Sequence, residues 1–170
     1  ADLVRERGML CSLIGTLPDL VWLKDTAGVY LACNPRFERF FGARQEEIVG
    51  KTDYDFVKKE IGDFFRANDQ AAIARAGPTV NEEWITFAND GHRELLETTK
   101  TPMFDAQHRL IGVLGIGHDL TERKRAEHTL SMAVEASQLV LWELDFKTGQ
   151  LAFDQNLLPV LGLARDDELK

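Results

Sequence analysis

Apolar positions in the first half of the chain come in short blocks broken by polar turns. "LVWLKDTAGVYLAC" reads as two strands around a turn at Asp25 to Gly28, with Gly28 where a positive φ is required. "NPRFERFFG" reads as a short helix, with Asn34 as N-cap, Pro35 as its first residue and Gly42 as its stop. A second short helix, Gln45 to Val49, ends at Gly50, and "KTDYDFV" follows as a turn with Tyr54 and Phe56 pointing inward. From residue 59 to 76 the period is helical, with Ile61, Phe64, Phe65, Asn68, Ala71, Ala72 and Arg75 on one face and a stop at Gly77 and Pro78. The apolar half of that helix needs a surface to cover. Three strand-like runs supply it: "TVNEEWITFA", "RELLETTKTP" and "LIGVLGIGH", separated by the turns "NDGH" and "DAQH". Strands paired at both ends of the chain, with helices gathered between them, predict an α+β fold: one five-stranded antiparallel sheet with short helices on one face.

Helical patterns flank this unit. Leu3, Leu10, Ile14 and Leu17 follow a four-three spacing with Arg7 in the missing seam position, and Ala126, Leu130, Ala133 and Ser137 repeat that spacing downstream. Both suit linker helices that pair in a homodimer. Beyond them, "LVLWELDFKTGQLAFDQNLLPVLG" restates "LVWLKDTAGVYLACNPRFERFFG": Trp142 echoes Trp22, Gly149 echoes Gly28 and Gly162 echoes Gly42. The expected organisation is a linker helix at 1–17, a domain at 18–121, a connector helix at 122–137 and the start of a second such domain at 138–170. That last piece holds too few elements to close a sheet, and is expected to be partly disordered or to borrow a partner surface.

Composition narrows the function classes. The 170 residues carry 28 acids against 20 bases, a net charge of −8, with Arg123, Lys124 and Arg125 the one basic run. The expectation is no nucleic-acid partner and no anionic-membrane surface. No apolar run reaches the roughly 20 residues of a membrane span, and no signal-peptide pattern opens the chain, which suits a cytoplasmic location and no membrane insertion. Cys11 and Cys33 fall in different elements and suit neutral thiols in a reducing compartment. Catalytic chemistry finds no constellation. His92, His108, His118 and His128 include no metal-binding spacing, and His128 lacks the acidic and Asn-Pro surroundings of a phospho-accepting histidine. "GIGHDL" carries neither phosphate-binding glycine pattern, so its glycines serve close packing of the strand.

Taken in order, "LPDLVWLKDTAGVYLACNPRFERFFG", "EEIVGKTDYDFV", "NEEW", "TTKTP" and "GVLGIGHDLTERK" resemble the PAS sensory family over residues 16 to 121. The resemblance implies a non-catalytic sensory and dimerisation module of a bacterial signalling protein, with an effector domain in the same polypeptide: a histidine kinase, a cyclic-dinucleotide enzyme or a transcription activator. It also implies a signal handed from the last strand to a linker helix through an Asp-x-Thr seam, here Asp119, Leu120 and Thr121. Free N–H groups at a helix start make an Asp or Thr useful there, and Asp119 with Glu122 has capping-box spacing. In this family the space between sheet and helices commonly serves as a pocket, which makes Phe37, Phe41, Tyr54, Phe56, Phe65 and Trp84 the candidate walls. Asn68 and Lys100 interrupt apolar faces and become candidates to hold a small organic ligand, anionic or polar. The cofactor stays open. Asp53 stands where flavin-binding members of the family carry their reactive cysteine, and the helix from 59 to 76 has no histidine for haem, so both are disfavoured. The alternative is a ligand-independent scaffold whose aromatic residues merely fill the core.

Overall fold

Three hairpin turns are set by the same device, an aspartate folding back on its own main chain. The Asp25 carboxylate accepts from the N–H groups of Ala27 and Val29, both at 2.9 Å, and Asp105 accepts from Gln107 and Arg109 at 2.9 and 2.8 Å. Asp145 accepts from Lys147 at 2.8 Å in the third. Such turns fix where pairing begins. In the computed structural model, which describes residues 2–137 and 142–153, they join β1 (Leu20–Lys24) to β2 (Tyr30–Cys33), β4 (Arg93–Phe104) to β5 (Leu110–Asp119), and β6 (Trp142–Leu144) to β7 (Leu151–Phe153). Two units result, Ala1–Thr121 and Glu122–Lys170.

The first unit holds a five-stranded antiparallel sheet in the order β2-β1-β5-β4-β3, with β3 spanning Thr79–Thr86. The first and last strands of the unit are therefore neighbours, Leu20 opposite Gly117, while β3 and β2 form the edges. Between β2 and β3 the chain forms α2 (Pro35–Phe41), α3 (Gln45–Ile48), a 3-10 turn at Asp53–Asp55 and α4 (Lys59–Arg75). Asn34 anchors the first of these. Its side-chain oxygen accepts from Phe37 N and Val21 N at 3.1 Å each and its amide donates to Asp19 O at 2.8 Å, so one buried residue caps α2 and ties it to β1. Gly42 ends that helix in the left-handed conformation.

An aromatic cluster fills the space between α2 and the sheet. Trp22, Tyr30, Phe37, Phe40, Phe41 and Phe87 are buried, with Phe56 stacked on Phe41 at 4.5 Å. Room for the Trp22 indole comes from β5: a Cβ on Gly115 would lie 2.2 Å from Trp22 Cε2. That close approach is why the strand reads "GVLGIG".

Helix α1 spans Asp2–Thr16, while the side chains of Leu3, Arg7, Leu10 and Cys11 lie outside the described residues. In the second unit, α5 (Thr121–Ser137) precedes the β6–β7 hairpin, whose turn places Gly149 at φ 72 as Gly28 sits at φ 87. The expectation of partial disorder or a borrowed partner surface covered residues 139–170; within them 142–153 are described and form the β6–β7 hairpin, while 138–141 and 154–170 lie outside the described residues.

Gly115→Val forces the indole off its seat. We expect a loss of about 1–3 kcal/mol or more in urea denaturation; an unchanged midpoint would overturn this account of the glycine.

Candidate functional site

Alternation along strands decides which polar groups enter the protein. On β1 it places Leu20, Trp22 and Lys24 on the helix-covered face, and on β4 it places Leu96, Thr98 and Lys100 there, all buried. Helix α4 lies over them with Gly62, Asp69 and Ala72 buried and Phe65 half-buried. The result is a closed set of charges. Lys24 Nζ donates to Asp53 at 2.6 Å and to Asp69 at 3.0 Å, and Lys100 Nζ donates to Asp69 at 2.7 Å and to the main-chain oxygen of Phe65 at 3.1 Å. Tyr30 adds its hydroxyl to Asp53 at 2.6 Å. Two ammonium and two carboxylate groups, each about 1% exposed, balance in pairs. Burial pulls the Lys100 ammonium below the usual lysine range, against the opposing effect of Asp69. Burial, and then the Asp53 carboxylate, hold the Tyr30 phenol well above its ordinary value.

Lys24, Lys100, Tyr30 and Asp53 line a cavity of about 20 Å³ whose other walls include Trp22, Phe37, Phe40 and Phe65. That space holds about one water. Outside it, a groove of about 460 Å³ runs between α4 and β3. The two share Phe40, Phe65, Glu83 and Ile85.

Of the residues expected to form the pocket, the structure brings Phe37, Phe65 and Lys100 together at the cavity. Phe41 and Phe56 stack on each other within the core instead. The inward placement of Tyr54 is corrected: it is 48% exposed, its ring covering Gly62 and its hydroxyl donating to Asp63. Trp84 is 55% exposed, lines the outer groove and lies under the Arg93 guanidinium at 5.1 Å. Asn68 donates to Phe64 O within its own helix and does not reach the cavity. Sequence reasoning missed Lys24, Asp53 and Asp69. Asp53, which stands where flavin-binding members of the family carry their cysteine, is 1% exposed.

At the seam, β4 meets the start of α5. Leu120 N donates to Leu95 O at 2.8 Å, and the Thr121 hydroxyl accepts from Leu95 N at 2.8 Å. Asp119 accepts from Thr121 N at 2.8 Å. It stands one residue ahead of the cap position rather than in it, because the helix begins at Thr121. The capping-box reading is corrected accordingly. Cys33, half-buried on β2, has its thiol pushed up to about 12, chiefly by burial and then by Glu38 and Glu46.

A family model described as the PAS fold matches residues 15–125. The chain belongs to the PAS fold family. Among similar proteins, the aerobic respiration control sensor protein ArcB of Escherichia coli is 26% identical over 76% of this chain and 16% of its own length. A diguanylate cyclase of Vibrio cholerae is 29% identical over 60% of this chain and 32% of its own. Among solved structures, VqmA bound to DPO is 26% identical, with a TM-score of 0.61, over 68% of this chain and 58% of that one. The chain thus spans about a sixth of ArcB. PAS domains of this kind are sensory parts of signalling proteins and are generally non-catalytic. The expectation of no nucleic-acid partner is corrected, because a second solved VqmA structure, from Vibrio cholerae, is described in terms of its target DNA and DNA-binding mechanisms. An acidic balance describes this chain's own surface and excludes nothing for a longer protein that carries such a domain. No helix among the described residues is long and apolar enough to cross a membrane.

Asp69→Ala leaves Lys100 buried without a counter-charge, and we expect it to cost about 3–5 kcal/mol in chemical denaturation; a loss below about 1 kcal/mol would contradict the ion-pair account. Because the folded state holds the Tyr30 phenol neutral, its contribution is present below about pH 10 and is lost as pH rises and the unfolded chain ionises. Denaturation across alkaline pH should therefore show a shallower decline for Tyr30→Phe than for the parent.

Proposed function

We propose that this PAS domain senses a small organic molecule held between the sheet and α4, and passes the change to α5 through β4. The observation that carries the reading is the placement of Lys100 on the cavity wall with two of its three donors already committed, one to Asp69 and one to the Phe65 main chain. An occupant that takes the remaining N–H shares the Lys100 ammonium with α4, so occupancy is coupled to how that helix is held. The same strand holds the seam five residues earlier, through Leu95 and Thr121. β4 is thus the physical link between an occupied cavity and the first turn of α5, with Asp119 and Thr121 as the positioning residues.

Residues 18–121 form the sensory domain in this reading, with linker helices at 1–17 and 122–137 and a second domain begun at 138–170. The shared Asp-led hairpin of Asp25 and Asp145 supports the repeat. Dimerisation through the flanking helices is supported by Leu13, Ile14 and Leu17 on the first and Leu130 on the second, all exposed. The output domain, carried elsewhere in the full protein, responds to the position of α5.

One observation favours the scaffold alternative: the cavity as it stands admits about one water, so an organic ligand enters only if Phe65 moves. Native mass spectrometry of the purified chain, with extraction and identification of any retained molecule, separates the two. We expect a stoichiometric compound, or a melting temperature raised by members of a metabolite library. An empty protein that no such compound stabilises leaves the scaffold.

A further inference from the structure

The chemistry of the ligand can be read from the hydrogen-bonding groups that the cavity leaves unspent, an inference that rests on the sensory reading above. At the inner end these groups are donors. Each lysine ammonium carries three N–H groups, and Lys24 and Lys100 each use two. The carboxylates are taken up: Asp53 accepts from Lys24 and Tyr30, and Asp69 from Lys24 and Lys100. The charges of these four groups sum to zero. A carboxylate or phosphate seated among them would have to displace Asp53 or Asp69 from its lysine, leaving that aspartate buried and unpaired.

At the outer end the polarity reverses. Glu83 faces inward on β3 and lines both the cavity and the groove; among the described residues no hydrogen bond or ion pair holds its carboxylate, which reaches the Lys100 ammonium only through its charge. Glu60 lines the groove as well, and no lysine, arginine or histidine among the described residues lines it. An acidic mouth of this kind attracts cations and donors and repels anions. Between the two ends the walls are rings: Trp22, Phe37, Phe40 and Phe65. Phe65 stands at the boundary of cavity and groove, and its main-chain oxygen is what Lys100 holds.

We propose that cavity and groove form one binding site closed by Phe65. Its ligand is a small flat molecule with a neutral acceptor, a carbonyl or ring nitrogen, directed at Lys100, and a donor, an amine or amide N–H, directed at Glu83. Anionic ligands are the class it rejects. The acceptor takes the Lys100 N–H that neither Asp69 nor the Phe65 oxygen uses, and the Phe65 ring swings toward the groove to admit it.

The test uses two probes of one shape, para-aminobenzamide and para-aminobenzoate, titrated into the isotope-labelled chain and followed by backbone amide NMR. We expect the amide to shift the resonances of Phe65, Glu83 and Lys100 and to bind about tenfold or more tightly than the carboxylate. Glu83→Gln should bring the two probes closer together, since it removes the charge that repels the anion, and Lys100→Met should weaken both. Equal or tighter binding of the carboxylate overturns the proposal, as do shifts confined to the opposite face of the sheet or none at millimolar probe. A retained ligand found by mass spectrometry alongside any of those results keeps the sensory reading and removes only this one.

Discussion

Two lysines cannot be buried beneath a helix unless two carboxylates are buried with them, and this requirement fixes how α4 sits on the sheet. Asp69 takes both ammonium groups at once, at 3.0 Å from Lys24 and 2.7 Å from Lys100, so it sets the helix against β1 and β4 together. Asp53 completes the balance from the 3-10 turn, and Tyr30 satisfies its second oxygen. Ion pairs of this kind are a weak source of net stability, because desolvation offsets much of their attraction. What they provide is geometry: a helix shifted by one residue would strand a charge in the protein interior.

The rest of the first unit is arranged around that requirement by more ordinary means. Aromatic side chains from β1, β2 and α2 pack in one cluster that touches the charged set through Trp22, Tyr30 and Phe65, where cation–π contacts place Lys24 4.9 Å from the Tyr30 ring and Lys100 5.7 Å from that of Phe65. Gly115 of β5 leaves room for the Trp22 indole, and Gly112 and Gly117 make room for the Lys24 main chain and the Leu96 side chain. β4 then carries two duties on opposite sides of its length, holding α4 through Lys100 and the start of α5 through Leu95. The strand runs for twelve residues and pairs with β3 on one side and β5 on the other.

Membership of the PAS fold family says what kind of part this is without saying what it reports to, since one fold serves many outputs. Similar chains occur in a respiration control sensor and a diguanylate cyclase, and a similar structure in a VqmA dimer solved in the absence of its target DNA. What these proteins share with this chain is the sensory PAS part and not the output.

Much of the fold was written in local signals. Asn34 before Pro35, Gly28 and Gly149 in their turns, and the period-two runs of β3, β4 and β5 determine element type and order, because caps, turns and alternation depend on residues close in sequence. The repeat at Trp142 was visible for the same reason. The site was only half legible. Lys100 stands out in sequence as a charge inside an apolar strand, whereas nothing local marks Lys24, at the end of β1, or Asp69, outside the helical face that the periodicity picks out. Two residues of that face, Ile61 and Phe64, are each 44% exposed, while Asp69 is buried. A buried charge gives no local signal, since its cost is removed only by a partner that the fold brings from elsewhere: Lys24 and Asp69 are 45 residues apart in the chain. The sequence alone determined the sheet, its order of elements and its hairpins; only the tertiary structure decided which charges are buried, because burial depends on which distant groups meet.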